Sequence, residues 1–129
     1  MNPLMTRLII AAATVFALAT LCSAQQATNL GDGAQFKGTT IKMKDQEVGY
    51  VLFFKAGKAV EATADGTNNT DVNLYVYDQG RPRKEVGKDD SPGPKCSVKF
   101  TPNKNGKYLF VIRNSGGENT VDFKVTVAQ

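Results

Sequence analysis

The stretch TDVNLYVYDQG, residues 70–80, contains the side chains best suited to bind a ligand. Tyr75 and Tyr77 are two residues apart, so on a β-strand their rings lie on one face at a spacing of about 7 Å. Exposed rings at that spacing could stack on a sugar ring or contact an extended peptide. They could equally be half-buried against a neighbouring strand, because aromatic residues are favoured in sheets for packing reasons.

Acidic and amide side chains near the tyrosines are candidate calcium ligands. Calcium binds six to eight oxygen atoms, often from Asp, Asn and loop carbonyls. The candidate set is Asp71, Asn73, Asp89 and Asp90, provided that the loops converge at one end of the domain. No EF-hand spacing is present, and Asp is common in turns for local hydrogen-bonding reasons. We therefore expect turn residues here, with a calcium site as the alternative.

The composition argues against catalysis. The sequence has no histidine, which excludes Ser-His-Asp and Cys-His catalysis and His-ligated zinc or copper. No serine stands in a nucleophile-elbow context, and the acids fall in turns rather than across a cleft. We expect a protein that is not an enzyme. We also expect no cofactor, except for the calcium ion of the alternative interpretation above.

The basic run RPRK at 81–84 makes Arg81 and Arg83 candidate contacts for an anionic ligand. A solvated turn is the main interpretation, because short charge runs usually lie on exposed loops. The other basic residues are scattered, and no aromatic residue interrupts the run to stack on bases. We expect no nucleic-acid partner.

Residues 1–24 resemble a secretory signal peptide, with cleavage after Ala24. The apolar run LIIAAATVFALATL is shorter than the roughly 20 residues of a membrane span. A lipoprotein would retain Cys22 as its first residue, but Leu21 stands where such sites need a small residue. We expect export to the periplasm or the extracellular space. Without Arg7 the chain keeps 15 basic and 12 acidic residues, a mild surplus.

The elements that must position these residues are short alternating runs separated by turn residues. Residues 25–35 are predicted to be a flexible lead and residues 36–129 one domain. Both faces of GKYLFVIRN and EVGYVLFFK are apolar, which indicates central strands. In KCSVKFT, Cys96 falls on the apolar face, so we expect a small buried side chain. The predicted strands are 36–43, 47–55, 58–64, 71–78, 95–101, 107–114 and 119–127, with a short one at 82–86.

This pattern predicts an all-β fold, an antiparallel two-sheet β-sandwich of seven to eight strands. Five segments in order also resemble the bacterial pre-peptidase C-terminal domain family. They are FKAGK, TDVNLYVYDQ, DDSPGPKCSVKFTP, NGKYLFVIRN and VDFKVTV, and the resemblance covers 36–127.

The resemblance implies a secreted, jelly-roll-like sandwich of a kind usually appended to extracellular enzymes. Some members of the family bind collagen or polysaccharide, and some bind calcium near the N-terminal linker. Here only the leader precedes the domain, so we expect a stand-alone module that binds extracellular polysaccharide or protein. The alternatives are a calcium-stabilised structural or envelope-associated protein, and an inhibitor or partner of a separately encoded secreted peptidase.

Overall fold

Eleven β-strands and no helix make up the described part of the chain. The computed structural model describes residues 15–17, 28–38, 41–80 and 82–129. Four strands are three residues long, and the seven from β5 onward have six to ten residues each. The strands are β1 (Val15–Ala17), β2 (Thr28–Leu30), β3 (Gln35–Lys37), β4 (Ile41–Met43), β5 (Gln46–Phe54), β6 (Val60–Gly66), β7 (Asp71–Asp78), β8 (Lys84–Asp89), β9 (Lys95–Phe100), β10 (Gly106–Ser115) and β11 (Asn119–Val127).

The strands form two sheets that enclose one main core. The first sheet has the order β1-β5-β10-β7-β8, and β2 also pairs with β5. The second has the order β3-β11-β6-β9, and β4 also pairs with β11. The pairing of β2 with β5 is parallel, whereas the pairings of the longer strands with one another are antiparallel. The predicted all-β sandwich is confirmed.

Alternating apolar residues build the core, as the sequence pattern predicts. In β11, Val121, Phe123 and Val125 are almost completely buried, and the residues between them face solvent or lie near the surface. The ring of Phe123 stacks on Tyr50 with 4.7 Å between ring centres and meets Phe36 edge-on. A second aromatic group fills the other part of the core and consists of Phe54, Phe100, Tyr108 and Phe110.

β5 and β10 are interior strands of the first sheet, which explains why both of their faces are apolar. β10 pairs with β5 on one side and with β7 on the other. Tyr108, Phe110 and Ile112 enter the main core, whereas Leu109 and Val111 belong to a separate apolar cluster on the outer face. The sheet therefore carries a small apolar layer on the side that faces away from the sandwich.

Three details of the strand prediction are wrong. The predicted lead contains β2, which pairs with β5 and buries Leu30 in the core. The predicted strand at 36–43 is two short strands, β3 and β4, that pair with different parts of β11. The segment predicted as a short strand at 82–86 is β8, which continues to Asp89. The first two differences depend on pairing with a strand distant in the sequence, which local alternation does not reveal. β8 pairs with its neighbour β7, with a register shift between Val76 and Tyr77.

Most of the predicted leader lies outside the described residues, so its cleavage after Ala24 stays a prediction. Within it, Val15–Ala17 forms β1 and pairs antiparallel with β5, with Val15 beside Tyr50 and Ala17 beside Val48. Within the described residues, no helix is long and apolar enough to cross a membrane.

A buried amide joins the loop after β6 to the start of β11. The Asn119 side chain accepts a hydrogen bond from the Asn68 backbone N–H at 2.8 Å and donates to the Asn68 carbonyl at 2.9 Å. It also donates to Thr70 Oγ1 at 2.7 Å. Gly66 leaves room for it, because a Cβ there would clash with Asn119 Nδ2. The network holds this loop against the end of the second sheet.

Candidate functional site

The outer face of the first sheet presents rows of residues that run across β5, β10 and β7. The strand registers place these residues side by side, although they are far apart in the sequence. The first row is Val51, Leu109 and Tyr77; the second is Gly49, Val111 and Tyr75; and the third is Glu47, Arg113 and Asn73. We refer to Val51, Leu109, Val111, Tyr75 and Tyr77 as the tyrosine face.

Tyr75 and Tyr77 are partly buried, and each packs on the apolar layer beneath. The predicted alternation of β7 is observed, since Val72, Leu74 and Val76 point into the main core. The two rings therefore combine packing with partial exposure, which makes them available as a surface for stacking. The stacking of a ligand on these two rings stays a prediction.

The Tyr77 hydroxyl keeps its proton at neutral pH. Burial is the main cause that raises the pKa of Tyr77 above its usual value, and the nearby Glu85 carboxylate adds to it. A protonated phenol both donates and accepts hydrogen bonds. The edge of the tyrosine face can thus offer a hydroxyl group to a polar ligand.

Arg113 connects the tyrosine face to a neighbouring polar region. Its guanidinium carbon lies 5.9 Å from the centre of the Tyr75 ring. Its Nε and Nη2 atoms lie 3.1 Å and 2.9 Å from Glu47 Oε2. Exposed ion pairs of this kind contribute about 1 kcal/mol or less to folding. The main effect of the pair is therefore to hold a planar guanidinium group beside the Tyr75 ring.

A polar pocket of about 370 Å³ lies next to this pair. Two hydrogen bonds fix its walls: the Gly116 N–H donates to Asp45 Oδ1 at 2.7 Å, and the Asn114 side chain donates to the Gly117 carbonyl at 2.9 Å. Asp45 has a positive φ of 46°, a conformation that Asp tolerates better than most residues. The polar pocket is lined by Asp45, Gln46, Glu47, Arg113, Asn114 and Ser115.

A second cavity, of about 480 Å³, lies over β6, β9 and β11. Charged and small polar side chains dominate its lining, and no aromatic residue is among them. It therefore lacks a flat apolar surface for stacking. The cavity is lined by Thr63, Ala64, Asp65, Asp89, Lys95, Cys96, Ser97, Asp122 and Lys124.

Protein groups already engage two of the candidate calcium ligands. The Asp89 carboxylate accepts hydrogen bonds from the Ser91 N–H and hydroxyl and from the Ser97 N–H. The Ser91 hydroxyl is the first cause that lowers the pKa of Asp89, against a partial opposing effect of burial. Asp90 lies 3.4 Å from Lys88 Nζ. The contacts of Asp89 with Ser91 are those of a turn residue, whereas the contact of Asp90 is an exposed ion pair.

The other two candidate ligands lie at the start of β7. Asn73 is buried, and in its favoured amide orientation it donates to Asp71 Oδ1 and to the Val72 carbonyl, both at 3.2 Å. Across residues 28–38, 41–80 and 82–129, no three His, Cys, Asp or Glu side chains form a group that could hold a metal ion. Calcium binding stays the alternative interpretation of these four residues.

Of the two candidate anion-binding residues in the basic run RPRK, the structure describes Arg83. Arg83 is exposed, and its Nη2 atom lies 3.5 Å from Gln79 Oε1. Arg81 lies outside the described residues. An anion contact at this turn therefore also stays a prediction.

Cys96 is a buried thiol, as its position on the apolar face of β9 predicts. Its Sγ atom lies 3.6 Å from the Ala64 carbonyl oxygen. Burial raises the pKa of Cys96 to about 12. Since the thiolate is the reactive form, this side chain has little nucleophilic character at neutral pH.

The sequence interpretation missed Glu47, Arg113 and the rest of the polar pocket. Arg113 and Glu47 are 66 residues apart and meet only because β5 pairs with β10. The available signal was the outward position of Arg113 in the same alternation that places Leu109 and Val111 outside. Its proximity to Tyr75 depends on the register between β10 and β7.

The fold and this face together define a small β-sandwich with an aromatic strip and an adjoining polar pocket. Solved structures share the fold, among them the following two. The pre-peptidase C-terminal domain of a collagenase from Bacillus anthracis aligns with a TM-score of 0.60 and 15% identity, over 80% of this chain and 97% of that domain. PliG from Aeromonas hydrophila, a periplasmic inhibitor of g-type lysozyme, aligns with a TM-score of 0.53 and 19% identity, over 79% and 97%.

The resemblance to the pre-peptidase C-terminal domain is thus confirmed at the level of the fold. No protein-family model matches the sequence, and no curated protein matches it.

Proposed function

We propose that this protein is an exported, non-catalytic binding module whose tyrosine face binds an extracellular polysaccharide or protein. The observation that carries the proposal is the position of Tyr75 and Tyr77, which lie two residues apart on the outer face of β7 and are partly exposed. Export rests on the predicted leader.

The physical properties of the face suit a ligand with flat, weakly apolar surfaces. An aromatic ring offers a large contact area at a small cost in side-chain entropy. The rings pack on Val51, Leu109 and Val111, which are almost completely buried in interior strands. The rings are therefore held in position before a ligand arrives, which reduces the ordering cost of binding.

Binding to a secreted enzyme is the second candidate. The observation in its favour is that one protein of the same fold is an inhibitor of g-type lysozyme. The tyrosine face would then contact a protein surface, where tyrosine is also enriched. The two candidates differ in their ligand and share the same face.

A co-sedimentation assay tests the proposal. The purified protein is mixed with insoluble cellulose, chitin or peptidoglycan, and with a secreted lysozyme or peptidase on beads. We expect retention on at least one of these, and we expect Tyr75→Ala and Tyr77→Ala each to weaken it about tenfold, equivalent to roughly 1.4 kcal/mol.

Thr126→Ala, an exposed change in β11 of the second sheet, is the control and should leave retention unchanged. The assay contradicts the proposal if no polymer or enzyme retains the protein. It also contradicts the proposal if folded Tyr75→Ala and Tyr77→Ala variants bind like the unaltered protein.

A further inference from the structure

We infer that the polar pocket is a subsite of the same binding face and that it selects a neutral, hydroxyl-rich polysaccharide over an acidic one. This inference rests on the proposed function and narrows its ligand class. It draws on the dimensions of the face, its hydrogen-bonding groups and its charge.

The tyrosine face and the polar pocket form one continuous strip along β10. Leu109 pairs with Tyr77, Val111 with Tyr75 and Ser115 with Asp71. Six residues of extended strand separate Leu109 from Ser115, which corresponds to about 20 Å. A strip of that length matches several consecutive units of an extended polymer. A single sugar would occupy only part of it.

The pocket's side chains match hydroxyl groups in their hydrogen-bonding capacity. A hydroxyl both donates and accepts. Glu47 and Asp45 supply carboxylate acceptors, and Arg113 supplies donors in a fixed plane beside the Tyr75 ring. Gln46 and Ser115 add groups that do both. A polymer unit next to the one stacked on Tyr75 therefore contacts hydrogen-bond donors and acceptors of the polar pocket.

The charge of the pocket disfavours acidic polymers. Its lining has two carboxylates, Asp45 and Glu47, and one guanidinium, Arg113. The guanidinium already lies 2.9 Å from Glu47, so its charge is largely matched. A uronate carboxylate entering the pocket would add a third negative charge against one positive charge, and such like-charge contacts are unfavourable.

Affinity electrophoresis with soluble polymers tests this inference. Native gels contain hydroxyethyl cellulose, arabinoxylan or galactomannan as neutral probes, and polygalacturonate as the acidic probe. We expect at least one neutral polymer to retard the protein, with polygalacturonate binding at least tenfold more weakly. Glu47→Gln and Arg113→Ala should each weaken neutral-polymer binding about tenfold, and Glu47→Gln should also narrow the discrimination against polygalacturonate.

Glu61→Gln is the matched control. Glu61 and Lys99 form an exposed pair at 3.6 Å between adjacent strands of the other sheet, so the same chemical change is made away from the face. Because exposed pairs contribute little to folding, all three variants should melt within a few degrees of the unaltered protein. Glu61→Gln should bind normally.

The outcomes separate the inference from the proposed function. If Tyr75→Ala abolishes binding while Glu47→Gln and Arg113→Ala bind normally, the pocket is not a subsite, and the tyrosine face stands. If polygalacturonate binds as well as the neutral polymers, or if no neutral polymer binds, the ligand class is wrong. If neither the tyrosine nor the pocket variants change binding to a retained polymer, the proposed function fails as well.

Discussion

Tyr50 carries a hydroxyl group that is buried without a hydrogen-bond partner in the described part of the chain. The side chain is fully buried between Phe36 and Phe123, and burial raises its pKa to about 12. A buried hydroxyl without a partner costs about 1 to 3 kcal/mol of stability. The aromatic core therefore contains one group that opposes folding.

Tyr50→Phe should raise the free energy of unfolding by about 1 kcal/mol, because it removes the unpaired hydroxyl and keeps the ring. Urea unfolding at neutral pH measures the change. Tyr108→Phe is the control, since the Tyr108 hydroxyl is not among the buried groups that lack a partner, and it should bring no gain. A loss of stability in Tyr50→Phe would mean that its hydroxyl has a partner in solution.

The raised pKa of the buried Cys96 thiol predicts a loss of stability at alkaline pH. Burial raises its pKa from 9.0 to about 12 in the folded state. Above pH 9 the unfolded chain loses the thiol proton while the folded protein keeps it, so stability falls as the pH rises towards 12. The slope from this group is at most about 1.4 kcal/mol per pH unit.

The comparison of the unaltered protein with Cys96→Ala isolates that effect. At pH 7 the variant should be less stable, because a buried side chain has been shortened. The difference in the free energy of unfolding should shrink between pH 8 and pH 10.5, since only the unaltered protein carries the thiol. A difference that stays constant over this interval would show that Cys96 has an ordinary pKa in the folded state.

At the scale of the strands and loops, the Asn119 network determines whether the loop after β6 stays attached to β11. Asn119→Ala removes the hydrogen bonds of the buried Asn119 amide to the Asn68 backbone and to Thr70 Oγ1, and it should cost roughly 2 to 4 kcal/mol. Asn68→Ala, which removes one exposed side-chain hydrogen bond in the same loop, should cost less than about 1 kcal/mol. Chemical unfolding of both variants would contradict this account if their losses were equal.

Alternation along the sequence was sufficient to predict the longer strands and their faces. Val121, Phe123 and Val125 enter the core as predicted, and Tyr75 and Tyr77 point away from it. This works because side chains on a strand alternate with a period of two residues regardless of what the strand pairs with.

Strand pairing could not be predicted in the same way. β2 pairs in parallel with β5, and the Ser97 N–H donates a hydrogen bond to Asp89. In neither case does the local sequence of one segment indicate its partner. The polar pocket has the same origin, since Glu47 and Arg113 come from different strands. Register between strands depends on the whole sheet, so these features became visible only in the structure.

At the scale of the whole molecule, we expect calcium to have no effect on stability. The oxygens of Asp89 accept hydrogen bonds from Ser91 and Ser97, and Asp90 pairs with Lys88. The melting temperature should therefore be the same in EDTA and in millimolar calcium. A site occupied at a hundred times its dissociation constant would add about 2.7 kcal/mol, so a clear upward shift would establish a calcium site.

The two outer faces of the sandwich differ in the chemistry that they offer a ligand. The first sheet presents tyrosines on an apolar layer beside the polar pocket. The second presents charged pairs such as Glu61 with Lys99. A ligand of the tyrosine face must therefore distinguish between these two outer faces.

Chemical-shift mapping by NMR tests that requirement most directly. The labelled protein is titrated with cellohexaose, xylohexaose or mannohexaose, chosen by the neutral polymer that retards it in gels. If the tyrosine face is the binding site, we expect shifts at the backbone amides of Tyr75, Tyr77 and Arg113 and none at Glu61 or Lys99. Shifts confined to the second sheet, or to the loops at either end of the sandwich, would contradict it.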